Sequence, residues 1–279
     1  MTAPPFVAFL SDYGRTDEFV GVCTAVVLGI APDAHIVDIT HDLPPHDVRA
    51  GALTLLRAAQ YLPEGAIVLA VVDPGVGTDR LLVGVETEAA TLVGPDNGLL
   101  APAVAMLGGP TRVVSLTRAD RQLPAPAATF AGRDVLAPAA GYLAAGEPLT
   151  SLGVEVDPSG LMPGLVPLAE ADAGGAIRGE VLWIDRFGNC QLNVGPDDLE
   201  ARGALRGGTV EVHLGGNVRA ARWVETYAEA RPSELVVLVD SYGLASLALD
   251  RASAAAACGL QSGSAVTLVP PGASVEGST

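Results

Sequence analysis

The sequence predicts an α/β fold with a second, smaller domain: an N-terminal α/β domain on a mostly parallel central sheet, then an all-β, barrel-like C-terminal domain. Three observations predict it. Short apolar runs rich in Val, Ile and Leu alternate with helical runs through residues 6–146, the pattern of a parallel sheet with covering helices. The small, acidic, Gly-rich stretch VPLAEADAGG (166–175) interrupts that pattern and reads as a linker. Beyond it come mainly alternating runs with regular turn signals, as in a small sandwich or barrel. The boundaries expected are 1–164 for the first domain, 165–176 for the linker and 177–279 for the second.

Each element follows in order. FVAFL (Phe6 to Leu10) reads as a buried strand ended by SDYG. Thr16 to Ile30 reads as a helix, with Asp17 and Glu18 at its start, where negative charge suits the helix dipole. HIVDIT is a second strand. DVRAGALTLLRAAQYL is a helix with apolar residues at helical spacing, stopped by PEG. AIVLAVVD is a third strand carrying Asp73 at its end. LLVGVE and ATLVGPD are short strands, and VAMLGG closes a short helix. GRD (132–134) reads as a turn, and DVLAPAAGYLAAG as a helix with a glycine stop. In the second half IRGEVLWID, NCQLNV, TVEVHLGG, VRAARWVET, ELVVLVDSYG and SAVTLVP read as strands. SLALDRASAAAACGL reads as a short helical or irregular insertion.

Composition narrows the function. The chain has 279 residues, 49% hydrophobic and 17% charged, enough to bury a sizeable core. Net charge is -16, which repels nucleic acid phosphate and anionic membrane; neither is an expected partner. All 16 basic residues are arginine, so no lysine can form a Schiff base or serve a P-loop. Three widely spaced cysteines without a CxxC suggest a reducing compartment and no zinc site. No signal peptide and no membrane span are evident, and a cytoplasmic location is expected.

In a parallel sheet, ligands bind beyond the carboxyl ends of the strands. That puts SDYG (11–14), HDLPPHD (41–47) and DPGVG (73–77) on one rim. Asp73 and Arg80, seven residues apart, can form a charge-assisted pair; the alternative is a tight turn with a capping Asp. Asp12 and Asp17 flank a strand-to-helix turn and could grip a diol or an ammonium, or cap the helix. Asn97 lies in PDNGLL, a turn sequence. Phe187 and Asn189, in RFGNC, offer a stacking ring and an amide, or form a surface turn. His41 and His46 share HDLPPHD, but no helical metal-binding spacing occurs, and no metal is expected. GxSxG and GxGxxG are also absent.

Taken together, FLSDYGRTDEFVG, DITHDLPPHDVRAGA, VDPGVGTDR, GPDNGLL, TFAGRDVLAPAA, IDRFGN and DSYGLASLALDRASAA resemble the S-adenosyl-L-methionine (SAM) hydroxide adenosyltransferases. These were once a domain of unknown function and are related to the fluorinases and chlorinases. The resemblance spans nearly the whole chain, in order. It implies hydrolysis of SAM to adenosine and L-methionine without a cofactor, in a homotrimer with sites between subunits. The family's water-handling set is Asp, Arg and His. Asp73 and Arg80 match the first two. The family's FHGRD falls on Phe130 to Asp134, and Ala131 stands where the histidine would be. The halogenating relatives have Tyr at position 73, so Asp73 implies water rather than halide as nucleophile.

For binding, the resemblance implies Asp12 on the ribose, Asp17 and Asn189 on the methionine end, and Phe130 and Phe187 lining the site. Asn97 and Gly132 fall within matching motifs. Ser241 matches a position near the methionine carboxylate, although Tyr242 replaces the Arg that follows it in the halogenases. His46 falls on a stacking Trp of the fluorinase, and Arg251 on an adenine-contacting backbone. Ala131 admits three readings: an introduced replacement, a natural residue with Asp73 and Arg80 sufficient for slow turnover, or a mark of a SAM- or adenosine-binding protein. The first is favoured because the rest of the set matches.

Overall fold

The computed structural model describes residues 4–164 and 166–274, and the chain divides into two compact units, Met1–Val166 and Pro167–Thr279. The expected linker begins at residue 165, outside the described residues.

The first unit runs β1 (Phe6–Ser11), α1 (Phe19–Ile30), β2 (His35–Thr40), α2 (Val48–Ala59), β3 (Ala66–Val71), β4 (Leu82–Glu86), β5 (Ala90–Pro95), α3 (Ala101–Met106), β6 (Arg112–Ser115), α4 (Ala137–Ala144) and β7 (Val154–Glu155). Its seven-stranded sheet has the order β2-β1-β3-β5-β4-β6-β7. The first four strands are parallel. β4, β6 and β7 join antiparallel. β3 lies between β1 and β5 and is buried along its whole length, which explains its unbroken apolar run. Cys23 and Val27 of α1 pack with Leu136 and with Ala137, Ala139 and Ala140 of α4 against the sheet. Because β2, β1 and β3 are parallel neighbours, SDYG, HDLPPHD and DPGVG leave the same edge of the sheet, as the sequence predicts.

Several elements differ from expectation. α1 starts at Phe19 rather than Thr16, because residues 15–18 form bends and Glu18 caps the helix without a side-chain hydrogen bond. GRD is no turn: Gly132–Leu136 forms a π-helical turn that runs directly into α4. β6 and β7, four and two residues long, add strands beyond those expected from the sequence. In the apparent linker, Glu170–Ala171 forms β8 and pairs with β9 (Ile177–Ile184).

The second unit continues with β10 (Cys190–Leu192), α5 (Pro196–Glu200), β11 (Thr209–Leu214), β12 (Asn217–Trp223), β13 (Leu235–Val239), β14 (Ala245–Leu249), α6 (Ala254–Cys258) and β15 (Ala265–Val269). The order β10-β14-β13-β12-β11-β15-β9, with β10 pairing back onto β9, closes a barrel of seven strands, and β8 lies outside it. Trp223, Leu192, Val212 and Leu247 fill its interior. The insertion expected at SLALDRASAAAACGL is instead strand β14, buried throughout, followed by the short α6. An apolar run of that length fits a buried strand or a helix equally well; pairing with both β10 and β13 decides it. Among the described residues no helix is long and apolar enough to cross a membrane.

Candidate active site

The three loops, the start of α1 and residues 126–133 line an open cavity of about 650 Å³. Each wall has a mechanical reason for its shape. At the end of β1, Ser11 is fully buried and its hydroxyl lies 2.7 Å from His41 Nδ1. The backbone N–H of Gly14 donates to His41 O at 2.7 Å. These bonds tie the loop after β1 to the loop after β2, so His41 turns inward as a brace. His46 turns the other way and lines the cavity. Its backbone has φ +67°, a left-handed conformation uncommon for a non-glycine residue. The backbone N–H of His46, donating to Asp12 Oδ2 at 2.8 Å, holds it there and fixes the Asp12 carboxylate at the cavity wall.

The third wall is the loop after β3. Asp73 lines the cavity, and Arg80 donates from Nε and Nη2 to its two carboxylate oxygens. The side chains are only 6% and 13% exposed, so the pair is largely desolvated and rigid. Gly75 permits the arrangement: a Cβ there would lie 3.2 Å from Arg80 Cδ. Asn97 supports the same wall from behind. Its side-chain amide donates to Val72 O at 2.9 Å, pinning the residue that precedes Asp73.

Phe130, Ala131, Gly132 and Arg133 form the fourth wall. The Phe130 ring packs edge-on to Phe19 and Tyr13, with centroids 5.2 and 5.6 Å apart. The Arg133 guanidinium lies 4.9 Å from the Phe130 centroid and donates to Asp134, with Nε 2.6 Å from Oδ1. Asp134 is 6% exposed. Ala131 presents only a methyl group.

The structure thus brings Asp12, His46, Asp73, Phe130, Ala131 and Gly132 to one cavity, with Arg80 and Asn97 behind its walls. Asp17 is exposed and is not among the lining residues; Glu18 is. Tyr13, Glu18, Phe19 and Arg133 are cavity residues that sequence reasoning did not single out. Their signal lay inside quoted motifs: an aromatic after the first strand, a second acid before α1, and the fixed charge of GRD.

The remaining candidates lie on the barrel. Phe187 tops a tight loop closed by Gly188 N–H donating to Asp185 O at 2.9 Å, and 74% of it is exposed. The Asn189 amide donates to Asp185 Oδ2 at 2.8 Å. Arg251 follows β14 with a 93% exposed side chain and φ +49°. Ser241 precedes β14 in a loop held by Asp240, whose carboxylate accepts from Tyr242 N at 2.8 Å. Among the described residues no three His, Cys, Asp or Glu side chains are grouped to hold a metal ion.

Residues 7–153 match the SAM hydroxide adenosyltransferase N-terminal domain, and residues 179–267 match the corresponding C-terminal domain. A protein of Salinispora tropica named (R)-S-adenosyl-L-methionine hydrolase is 42% identical over 263 residues, covering 94% of this chain and 97% of that protein. A fluorinase of Actinopolyspora mzabensis is more distant, 28% identical across 94% of this chain and 96% of its own. The crystal structure of an uncharacterized conserved protein from Thermotoga maritima superposes with a TM-score of 0.88 at 29% identity, covering 94% of this chain and 99% of that one. The matched domains together span both compact units, and the chain belongs to the SAM hydroxide adenosyltransferase family.

Proposed function

We propose that this chain hydrolyses S-adenosyl-L-methionine to adenosine and L-methionine. The observation that carries this reading is the Asp73 carboxylate, held at two points by Arg80 in the cavity wall, in a chain so similar to a named SAM hydrolase. The chemistry is an in-line displacement. An oxygen of water bonds to the ribose C5′, the C5′–S bond breaks, and its electron pair leaves on sulfur as the neutral thioether of methionine. One proton passes to solvent. The sulfonium is already a good leaving group, so the reaction calls for neither a leaving-group acid nor a cofactor.

What the protein must supply is position. The two-point guanidinium contact fixes the plane of the Asp73 carboxylate, whose remaining lone pairs can take an O–H of one water and aim its oxygen at C5′. Alignment of this kind is worth up to ~7–11 kcal/mol of a barrier. Asp12, Glu18 and Asp73 make the cavity acidic, which suits a substrate carrying sulfonium and ammonium charges. Asp12 is proposed to grip the ribose hydroxyls. Asp17 and Asn189 are proposed for the methionine end, with Ser241 near its carboxylate and Arg251 near the adenine.

The proposed assembly is a homotrimer in which a neighbouring barrel covers the adenine with Phe187. The large exposure of that ring on a single chain supports this, and light scattering of the purified protein tests it. The domain limits proposed are 1–164 and 177–279, joined by residues 165–176, which also contribute β8 beside β9. The cytoplasm is the proposed location, as the compartment of the substrate.

Ala131 favours one second reading, a SAM- or adenosine-binding protein with little turnover. Chromatography of SAM incubated with the protein separates the two. Equimolar adenosine and methionine, in proportion to protein added, support hydrolysis; intact SAM with calorimetric binding supports the alternative. A halogenated adenosine formed on adding chloride or fluoride would instead show halide transfer.

A further inference from the structure

One cavity-lining residue, Tyr13, carries a hydroxyl that nothing above uses. Tyr13 lines the cavity beside Asp12 and Asp73, and its ring is fixed on two sides. Phe130 meets it edge-on at 5.6 Å and 86°, and Phe19 is tilted against it at 5.6 Å. Its backbone N–H donates to Ser11 Oγ at 3.3 Å. The ring is directed at the start of the π-helical turn: a Cβ on Gly132 would lie 2.1 Å from Tyr13 Oη and 3.1 Å from its Cζ. Only a glycine at 132 leaves room for this oxygen. The residue before that glycine is Ala131, so the hydroxyl sits beside the position that offers a methyl group.

Burial above all, and then the charges of Cys23, Asp12, Asp73 and Asp134, push the Tyr13 phenol far above its ordinary pKa. It therefore keeps its proton at any working pH, and its oxygen can accept one hydrogen bond while donating another.

We propose that Tyr13 is a further catalytic residue, whose hydroxyl holds the attacking water together with Asp73 and performs the task that Ala131 cannot. The inference rests on the reading of the site as a SAM hydrolase. In it the two hydrogens of the water point to Asp73 and to Tyr13 Oη. The water's free lone pair then faces C5′. As the O–C5′ bond forms and the C5′–S bond breaks, the surplus proton leaves through water, and Tyr13 ends with the proton it began with.

Tyr13→Phe removes the oxygen and keeps the ring between Phe19 and Phe130. Turnover is expected to fall ~10²-fold, the lower range for a positioned proton-handling group, with KM for SAM within about twofold of the unaltered chain. Adding Ala131→His to Tyr13→Phe is expected to recover much of the lost rate, which a purely structural tyrosine would not allow. Gly132→Ala gives an independent measurement that leaves Tyr13 in place: it displaces the hydroxyl and lowers kcat, and combined with Tyr13→Phe costs little more. Tyr13→Phe at the unaltered rate overturns the proposal, as does a loss carried in KM or Gly132→Ala and Tyr13→Phe effects that simply add. An unaltered chain that releases no adenosine overturns the hydrolase reading itself, a result distinct from all of these.

Discussion

Two aspartate–arginine pairs face the same cavity with opposite polarity. After β3, Asp73 stands in front and Arg80 lies behind it. At the start of the π-helical turn, Arg133 stands in front and Asp134 lies behind it. Both pairs are two-point contacts, yet they offer a ligand different things. The first presents acceptor lone pairs on a carboxylate locked from the rear, which suits a water or a cation. The second presents a guanidinium, 34% exposed, whose Nη1 edge can still meet an anion such as an amino-acid carboxylate. Charge in a site is set by which partner is in front as well as by the residues present. A third two-point pair, Arg222 with Glu234 on the barrel, is not among the cavity's lining residues and serves as the structural reference.

The comparison breaks first at Asp73. Asp73→Asn keeps the shape but removes the locked carboxylate, and kcat is expected to fall ~10²–10⁴-fold with folding intact. A rate within threefold of the unaltered chain would sink the polarity argument. Arg80→Ala tests the same pair from behind. It strands a carboxylate that is only 6% exposed, and urea unfolding should show a loss of about 3–5 kcal/mol, as when one partner of a buried pair is removed. If stability barely moves, the pair is not the brace described.

Arg133→Ala addresses the opposite wall. If Arg133 meets the carboxylate of the methionine end, KM should rise ~10-fold or more while kcat changes little, since a hydrogen bond to a charged group is worth about 1.5–3 kcal/mol. Loss confined to kcat would place Arg133 near the reacting carbon instead. The smallest effect belongs to the reference pair. The hydrogen bonds from Arg222 hold the Glu234 carboxyl down at about 2. A depressed folded-state pKa stabilises above the ordinary carboxylate range and loses that contribution as pH falls toward about 2. Glu234→Gln should therefore be slightly less stable than the unaltered chain at neutral pH, with the gap closing on acidification; SAM turnover at neutral pH should be unchanged.

Much of this is legible in the sequence. The fold class, the shared rim of three loops and the Asp73–Arg80 spacing follow from period, strand order and turn chemistry, which are local properties. β14 was not legible, because a buried apolar run carries no periodicity that separates strand from helix. The π-helical turn at 132–136 was not legible either: GRD looks like a turn until its backbone joins α4.

The sequence by itself determined which groups are available: an acidic, lysine-free chain, a carboxylate at the tip of a central strand, an arginine in reach of it and a methyl group at position 131. Only the tertiary structure decided which of those groups face one another. That Glu18 rather than Asp17 lines the cavity, that Arg133 rather than Asp134 faces into it, and that the Tyr13 oxygen fills the space left by Gly132 all depend on residues distant in sequence. Direction and occupancy are set by packing between elements, and packing is a property of the folded chain rather than of any segment in it.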